Sequence, residues 1–236
     1  MRTLRLRAWL AIALFLLPAA FCAQNRASRT SQAELNLRIQ PSPSTHRSVA
    51  AVIWLEPMGN TPVLPFNPQG HYTLLQKNRT FIPHLQVVPV GSIVQFPNAD
   101  PFFHNVFSLF DGKRFDLGLY EAGSTKSVTF SRPGVSYIFC NIHPEMSAVV
   151  ISLSTPLYAI ADANNTLTVH NIPPGDYRLR LWAEGALPSA LQGISREIHL
   201  PPGNTDLGNI TVPIATTATH TNKFGDAYDR QPTSPY

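Results

Sequence analysis

The sequence predicts an all-β protein, and three observations carry that expectation. Charged residues make up only 14% of the 236 positions, too few for a coiled coil or a highly charged disordered chain. Its 22 prolines stand among Val, Ile, Thr and Phe, residues that fit pleated surfaces while proline punctuates them. No long stretch shows a convincing 3.6-residue apolar period. Many short strands joined by rigid turns follow.

Taken in order, Arg2, Arg5 and Arg7 precede the apolar run Ala8–Phe21, which is too short to span a bilayer comfortably and carries Pro18 near its end. A basic start, a short apolar core and small residues afterwards read as a secretory signal peptide over residues 1–23. Ala20-Phe21-Cys22 and Phe21-Cys22-Ala23 are both imperfect cleavage sites, and bulky Phe21 argues against lipidation of Cys22. Removing those three arginines from the 18 Lys and Arg leaves 15 basic against 14 acidic side chains. The formal charge of +4 therefore belongs largely to the leader, and nucleic-acid binding loses its support. The mature chain is expected in the periplasm or an equivalent exported space, without a stable membrane span.

After a polar stretch at residues 24–33, strand-like runs fall at Glu34–Ile39, Ser48–Leu55, Val87–Phe96, Ser127–Phe130, Val135–Cys140 and Ala148–Leu153. The run Val87–Phe96 divides into two strands at Gly91-Ser92, and Arg132-Pro133-Gly134 marks another tight connection. This spacing fits a sandwich over residues 34–155. Beyond Thr155-Pro156 the pattern restarts: Leu157–Ala161, a turn at Asp162–Asn165, then Leu167–Val169, Asp176–Trp182, Arg196–Leu200 and Asp206–Val212. A small second β-sandwich is expected over residues 156–213. Residues 214–236 carry few core formers and read as a loose tail.

Cleavage after Cys22 or Ala23 leaves one cysteine, Cys140, so an internal disulfide is impossible. A lone thiol in an oxidising compartment is a buried inert residue, a reactive one or a metal ligand. Its neighbours decide. Cys140-Asn141-Ile142-His143-Pro144-Glu145-Met146 places a thiolate, an imidazole and a thioether within seven residues, on one loop between two strands. His104, in Phe102-Phe103-His104-Asn105, adds a second imidazole from a distant strand end. Two imidazoles and a thiolate make a trigonal site with methionine as a long axial contact, the donor set of a copper ion cycling between Cu(I) and Cu(II). Zinc is the alternative metal, but methionine suits it poorly and no second cysteine is present. Heme attachment needs a Cys-x-x-Cys-His motif that is absent. A Cys140–His143 nucleophile dyad also remains open, without an evident orienting residue or oxyanion loop.

At these residues the chain resembles the cupredoxins, the type 1 blue copper proteins. Cys140-x-x-His143-x-x-Met146, with Pro144 after the histidine, is similar to the short ligand loop of amicyanin, and His104-Asn105 is similar to the His-Asn pair of the upstream ligand strand. The resemblance covers residues 81–153 most strongly. It implies a Greek-key β-sandwich, one copper held by His104, Cys140, His143 and Met146, and Asn105 hydrogen-bonding around the thiolate loop. The whole chain also resembles exported plastocyanin-like or methylamine-utilisation-type proteins, through Phe81-Ile82-Pro83-His84 and Phe96-Pro97-Asn98. Their second sandwich is similar to carboxypeptidase regulatory domains, with which Ile172-Pro173-Pro174-Gly175-Asp176 agrees. Val52–Pro57 could then belong to that second sandwich, with the copper unit inserted.

The function implied is one-electron transfer to a redox protein partner, not enzymatic catalysis, since no second cluster of histidines or carboxylates offers a catalytic copper. A copper carrier, or a scaffold protein with a structural copper, are the alternatives. His84 reads as a surface or packing residue, and His46, His71, His170, His199 and His220 sit in no comparable constellation. Phe102 and Phe103 read as core or as an apolar rim. Asn78, Asn164 and Asn209, each in Asn-x-Thr, read as turn residues.

Overall fold

The structure, a computed structural model, describes residues 32–43, 48–109 and 112–215. The signal peptide expected over 1–23 and the tail beyond 215 lie outside the described residues.

In chain order the first strands are β1 (Ala33–Ser42), β2 (Ala51–Pro57), β3 (His71–Thr73), β4 (Leu75–Lys77), β5 (Thr80–Ile82), β6 (Leu85–Pro89) and β7 (Ser92–Pro97). The middle of the chain forms β8 (His104–Ser108), β9 (Phe115–Tyr120), β10 (Thr125–Phe130), β11 (Gly134–Phe139) and β12 (Ser147–Leu153). Then come β13 (Tyr158–Ile160), β14 (Thr166–Ile172), β15 (Gly175–Ala183), the short helix α1 (Pro188–Ile194), β16 (Arg196–Leu200) and β17 (Gly203–Pro213).

The described residues form five sheets, of which β4-β5 is a separate two-stranded hairpin and the other four stack face to face. The outermost pairs β10-β7-β3, and the next is β6-β12-β11-β8-β9. Between them lies a core containing Val94, Phe96, Val106, Phe130, Ile138, Cys140, Met146 and Val150. The third sheet, β13-β2-β15-β16, and the fourth, β14-β1-β17, enclose a second core with Leu35, Leu37, Ile53, Leu55, Leu167 and Tyr177. The two sandwiches meet through a third, smaller cluster of Val52, Val87, Val149, Ile151, Leu153 and Trp182.

This stacking explains β12. Strand residues alternate sides, so Ala148 and Val150 enter the first core while Val149, Ile151 and Leu153 enter the inter-sandwich cluster. A strand buried on both faces needs an uninterrupted apolar run, and Ala148-Val149-Val150-Ile151 supplies it. β2 behaves likewise, with Ile53 and Leu55 on one side and Val52 on the other.

Strand pairing also shows where residues 33–57 go. β1 runs antiparallel to β14 and parallel to β17, and β2 pairs with β13 and β15. An apolar pattern at 34–57 identifies strands but not their partners. Their hydrogen bonds run to strands after Pro156.

Candidate metal centre

β8 begins at His104, and all five of its residues are buried. This fixes the imidazole at the end of the five-stranded sheet. β11 delivers the second group, ending at Phe139 immediately before Cys140. The chain then closes a tight loop: His143 C=O accepts from Met146 N–H at 3.0 Å, and Met146 C=O accepts from Cys140 N–H at 3.2 Å. Two backbone bonds across seven residues set the loop's shape before any ion binds.

The result is a triangle of donor atoms. Nδ1 of His104 lies 3.1 Å from Nδ1 of His143, and Cys140 Sγ lies 3.8 Å from the first and 3.6 Å from the second. Metal–nitrogen bonds of about 2.0–2.1 Å and metal–thiolate bonds of about 2.3 Å put the ligands of one ion roughly 3–4 Å apart, so the residues fit a common ion. His104, Cys140 and Met146 are buried, His143 is half-buried, and Ile142 beside it is 47% exposed. Met146 lies in the same core cluster as Cys140.

Burial disfavours the charged form of both titratable groups. Burial pushes the Cys140 thiol pKa up, against backbone N–H groups of Asn105, Ile142 and His143 that favour the thiolate. A bound cation deprotonates a coordinating thiol outright. Burial, reinforced by the neighbouring His104, holds His143 below its ordinary pKa and keeps it in the neutral form that binds metal.

Around the triangle, Phe102 packs its ring 5.3 Å from the His104 ring and 5.5 Å from the His143 ring. Phe103 points outward and is 56% exposed. The Asn105 side-chain amide donates to Asp116 Oδ1 on β9 at 2.8 Å, and it is the Asn105 backbone N–H that turns toward the thiol. Sequence reasoning missed Asp100, whose Oδ2 lies 2.8 Å from Nε2 of His104. An Asp-Pro pair in a loop reads as a turn, and only the folded loop shows its reach.

His46 and His220 lie outside the described residues, and three of the other histidines have carboxylate partners of their own. His84 contacts Glu184 at 2.7 Å, His170 contacts Glu34 at 2.7 Å and His199 contacts Asp176 at 2.7 Å. Asn78 takes a turn conformation with φ of 54° and Asn164 a turn position, whereas Asn209 is a strand residue, paired with Arg38 in β1 just after a break in register. A glycine at positive φ, Gly208, makes that break look like a turn in sequence.

Solved structures of copper proteins resemble part of this chain. A purple cupredoxin from Nitrosopumilus maritimus is 22% identical over 35% of this chain and 99% of its own, with a TM-score of 0.32. An oxidized amicyanin variant is 22% identical over 36% of this chain and 83% of its own, with a TM-score of 0.33. A copper-containing nitrite reductase from Thermus scotoductus is 24% identical over 42% of this chain, with a TM-score of 0.34, and this chain spans 25% of that enzyme's length. No family model and no curated protein matches the chain. Amicyanin, to which the ligand loop is similar in sequence, is among these matches.

Proposed function

We propose that this chain is an exported type 1 copper protein that passes single electrons to and from a redox protein, and that His104, Cys140 and His143, with Met146 as a further weak donor, would hold one copper. The observation that carries this reading is the triangle of two imidazole nitrogens and one thiol sulfur, buried at His104 and Cys140 and half-buried at His143. Bound copper would supply the one-electron couple. The chain's own residues supply the rest. A loop closed by two backbone hydrogen bonds, resting on a packed core, resists rearrangement and so suits two oxidation states equally. Buried Cys140 keeps water from the sulfur, and half-buried His143, flanked by exposed Ile142 and with exposed Phe103 nearby in the upstream ligand segment, is the side from which a partner approaches.

On this reading the copper unit is inserted between β2 and β13, and the sandwich built from the chain's two ends is its support. Both pairings of β2, with β13 and with β15, favour it. Voltammetry of the copper-loaded protein tests the electron-transfer role: a reversible one-electron wave with slow copper loss is expected. Rapid release of Cu(I) to an acceptor protein or chelator would instead make it a copper carrier.

A further inference from the structure

We propose that Asp100, clamped by the Asn78–Arg79 turn, is a positioning residue that fixes the tautomer and orientation of His104. The inference rests on the reading of His104 as a ligand, and it begins from donor arithmetic. A neutral imidazole carries one N–H, and an ionised carboxylate only accepts. His104 is buried, and its Nε2 faces Asp100 Oδ2 at 2.8 Å. The proton therefore sits on Nε2, and the Nδ1 lone pair is left facing Cys140 and His143. Carboxylates that hold the far nitrogen of a ligand histidine in this way set ring orientation and raise ligand basicity.

Asp100 is itself fixed. Its Oδ1 accepts the Asn78 N–H at 2.6 Å, and its Oδ2 accepts the Arg79 N–H at 2.9 Å. Both turn residues adopt φ of 54°, the left-handed region, which Arg79 occupies without being a glycine. That conformation aims two consecutive N–H groups at one carboxylate. The Asp100 N–H in turn donates to Asn98 Oδ1 at 3.0 Å, so the aspartate is held from both its backbone and its side chain. The hairpin reaches the imidazole pair by a second route, because the Arg79 guanidinium lies 5.3 Å from the centre of the Phe102 ring that packs on both histidines. The turn between β4 and β5 is thus connected to the ligand end of β8 through charge and through packing.

Nitrogen-15 NMR of the histidine rings in the metal-free full-length mature chain tests this without copper. The unsubstituted protein is expected to show His104 as the Nε2–H tautomer with a slowly exchanging ring proton. Asp100→Ala should speed that exchange at least tenfold and shift the ring toward the Nδ1–H tautomer. Asp100→Asn, which keeps the shape, should move both in the same direction and decides the matter if the alanine variant does not fold. Arg79→Gly, which keeps the turn N–H and suits its φ, should leave the ring proton in place. An unchanged tautomer and exchange rate in a folded Asp100 variant would overturn the proposal. Failure of the unsubstituted protein to bind copper would remove the functional reading and leave the ring-proton result standing, so the two fail separately.

Discussion

Trp182 on β15 donates its indole N–H to the Tyr137 hydroxyl on β11 at 3.0 Å, a hydrogen bond that crosses from one sandwich to the other. It sits beside the apolar cluster of Val52, Val149, Ile151 and Leu153. Removing the bond while keeping an aromatic ring, in Trp182→Phe, should cost about 1 kcal/mol. Trp182→Ala, which empties a buried site, should cost about 3–5 kcal/mol. Urea denaturation measures both, and neither change touches the ligand loop.

Pairing of β1 and β2 with strands after Pro156 has a sharper consequence. A chain ending at Ser154 lacks β13 to β17, and Leu35, Leu37, Ile53 and Leu55 lose the other half of their core. That truncation should give insoluble protein or a chain without a cooperative unfolding transition. A soluble, cooperatively folding product would show instead that residues 33–57 stand with the copper-side sheets.

His84 joins the sandwiches by a second bond, this one sensitive to pH. Its Nε2 meets Glu184 and its Nδ1 meets the Ser147 carbonyl at 3.1 Å, so both ring nitrogens face acceptors and the doubly protonated ring satisfies them. The hydrogen bond to Glu184 raises the His84 pKa above its ordinary value near 6.5, against burial. A raised folded-state pKa contributes stability that is fully present below about 6.5 and is lost as pH rises through the raised value. Both side chains are close to half exposed, so solvent screening holds the effect to at most about 1 kcal/mol. Denaturation at a series of pH values should show Glu184→Gln removing this part of the slope; identical slopes in the two proteins would assign it elsewhere.

What could be read without a structure follows physical lines. β12 was legible because burial on both faces demands a continuous apolar run, and part of the candidate site was legible because Cys140, His143 and Met146 share one loop. β3, β4 and β5 are three residues each, too short to show alternation. β8 falls outside the strand-like runs because it buries His104, Asn105 and Ser108, polar residues that break an apolar pattern, although His104 was expected at a strand end. Gly118, at φ of 65°, sits where β9 shifts register against β8, and α1 has only seven residues and no side-chain cap at its start. Parallel pairing of β1 with β17 spans nearly the whole described chain, and no local pattern reports a partner that far away.

Met146 provides a test with a sign. A weak thioether favours Cu(I) relative to Cu(II), and a harder oxygen donor at the same position favours the oxidised ion. Met146→Gln should therefore retain the coloured site with a lower reduction potential, and Met146→Leu should raise the potential by removing the donor while keeping the pocket apolar. Voltammetry on the three proteins checks the order, and equal potentials would place Met146 outside the copper's reach.

The most direct test of the central claim is the visible and electron-paramagnetic-resonance spectrum of the mature protein reconstituted with Cu(II). The account predicts one copper per chain and an intense blue or green thiolate-to-copper absorption, lost in Cys140→Ser while the β fold persists. A colourless copper-loaded protein, or a band that survives Cys140→Ser, would contradict it.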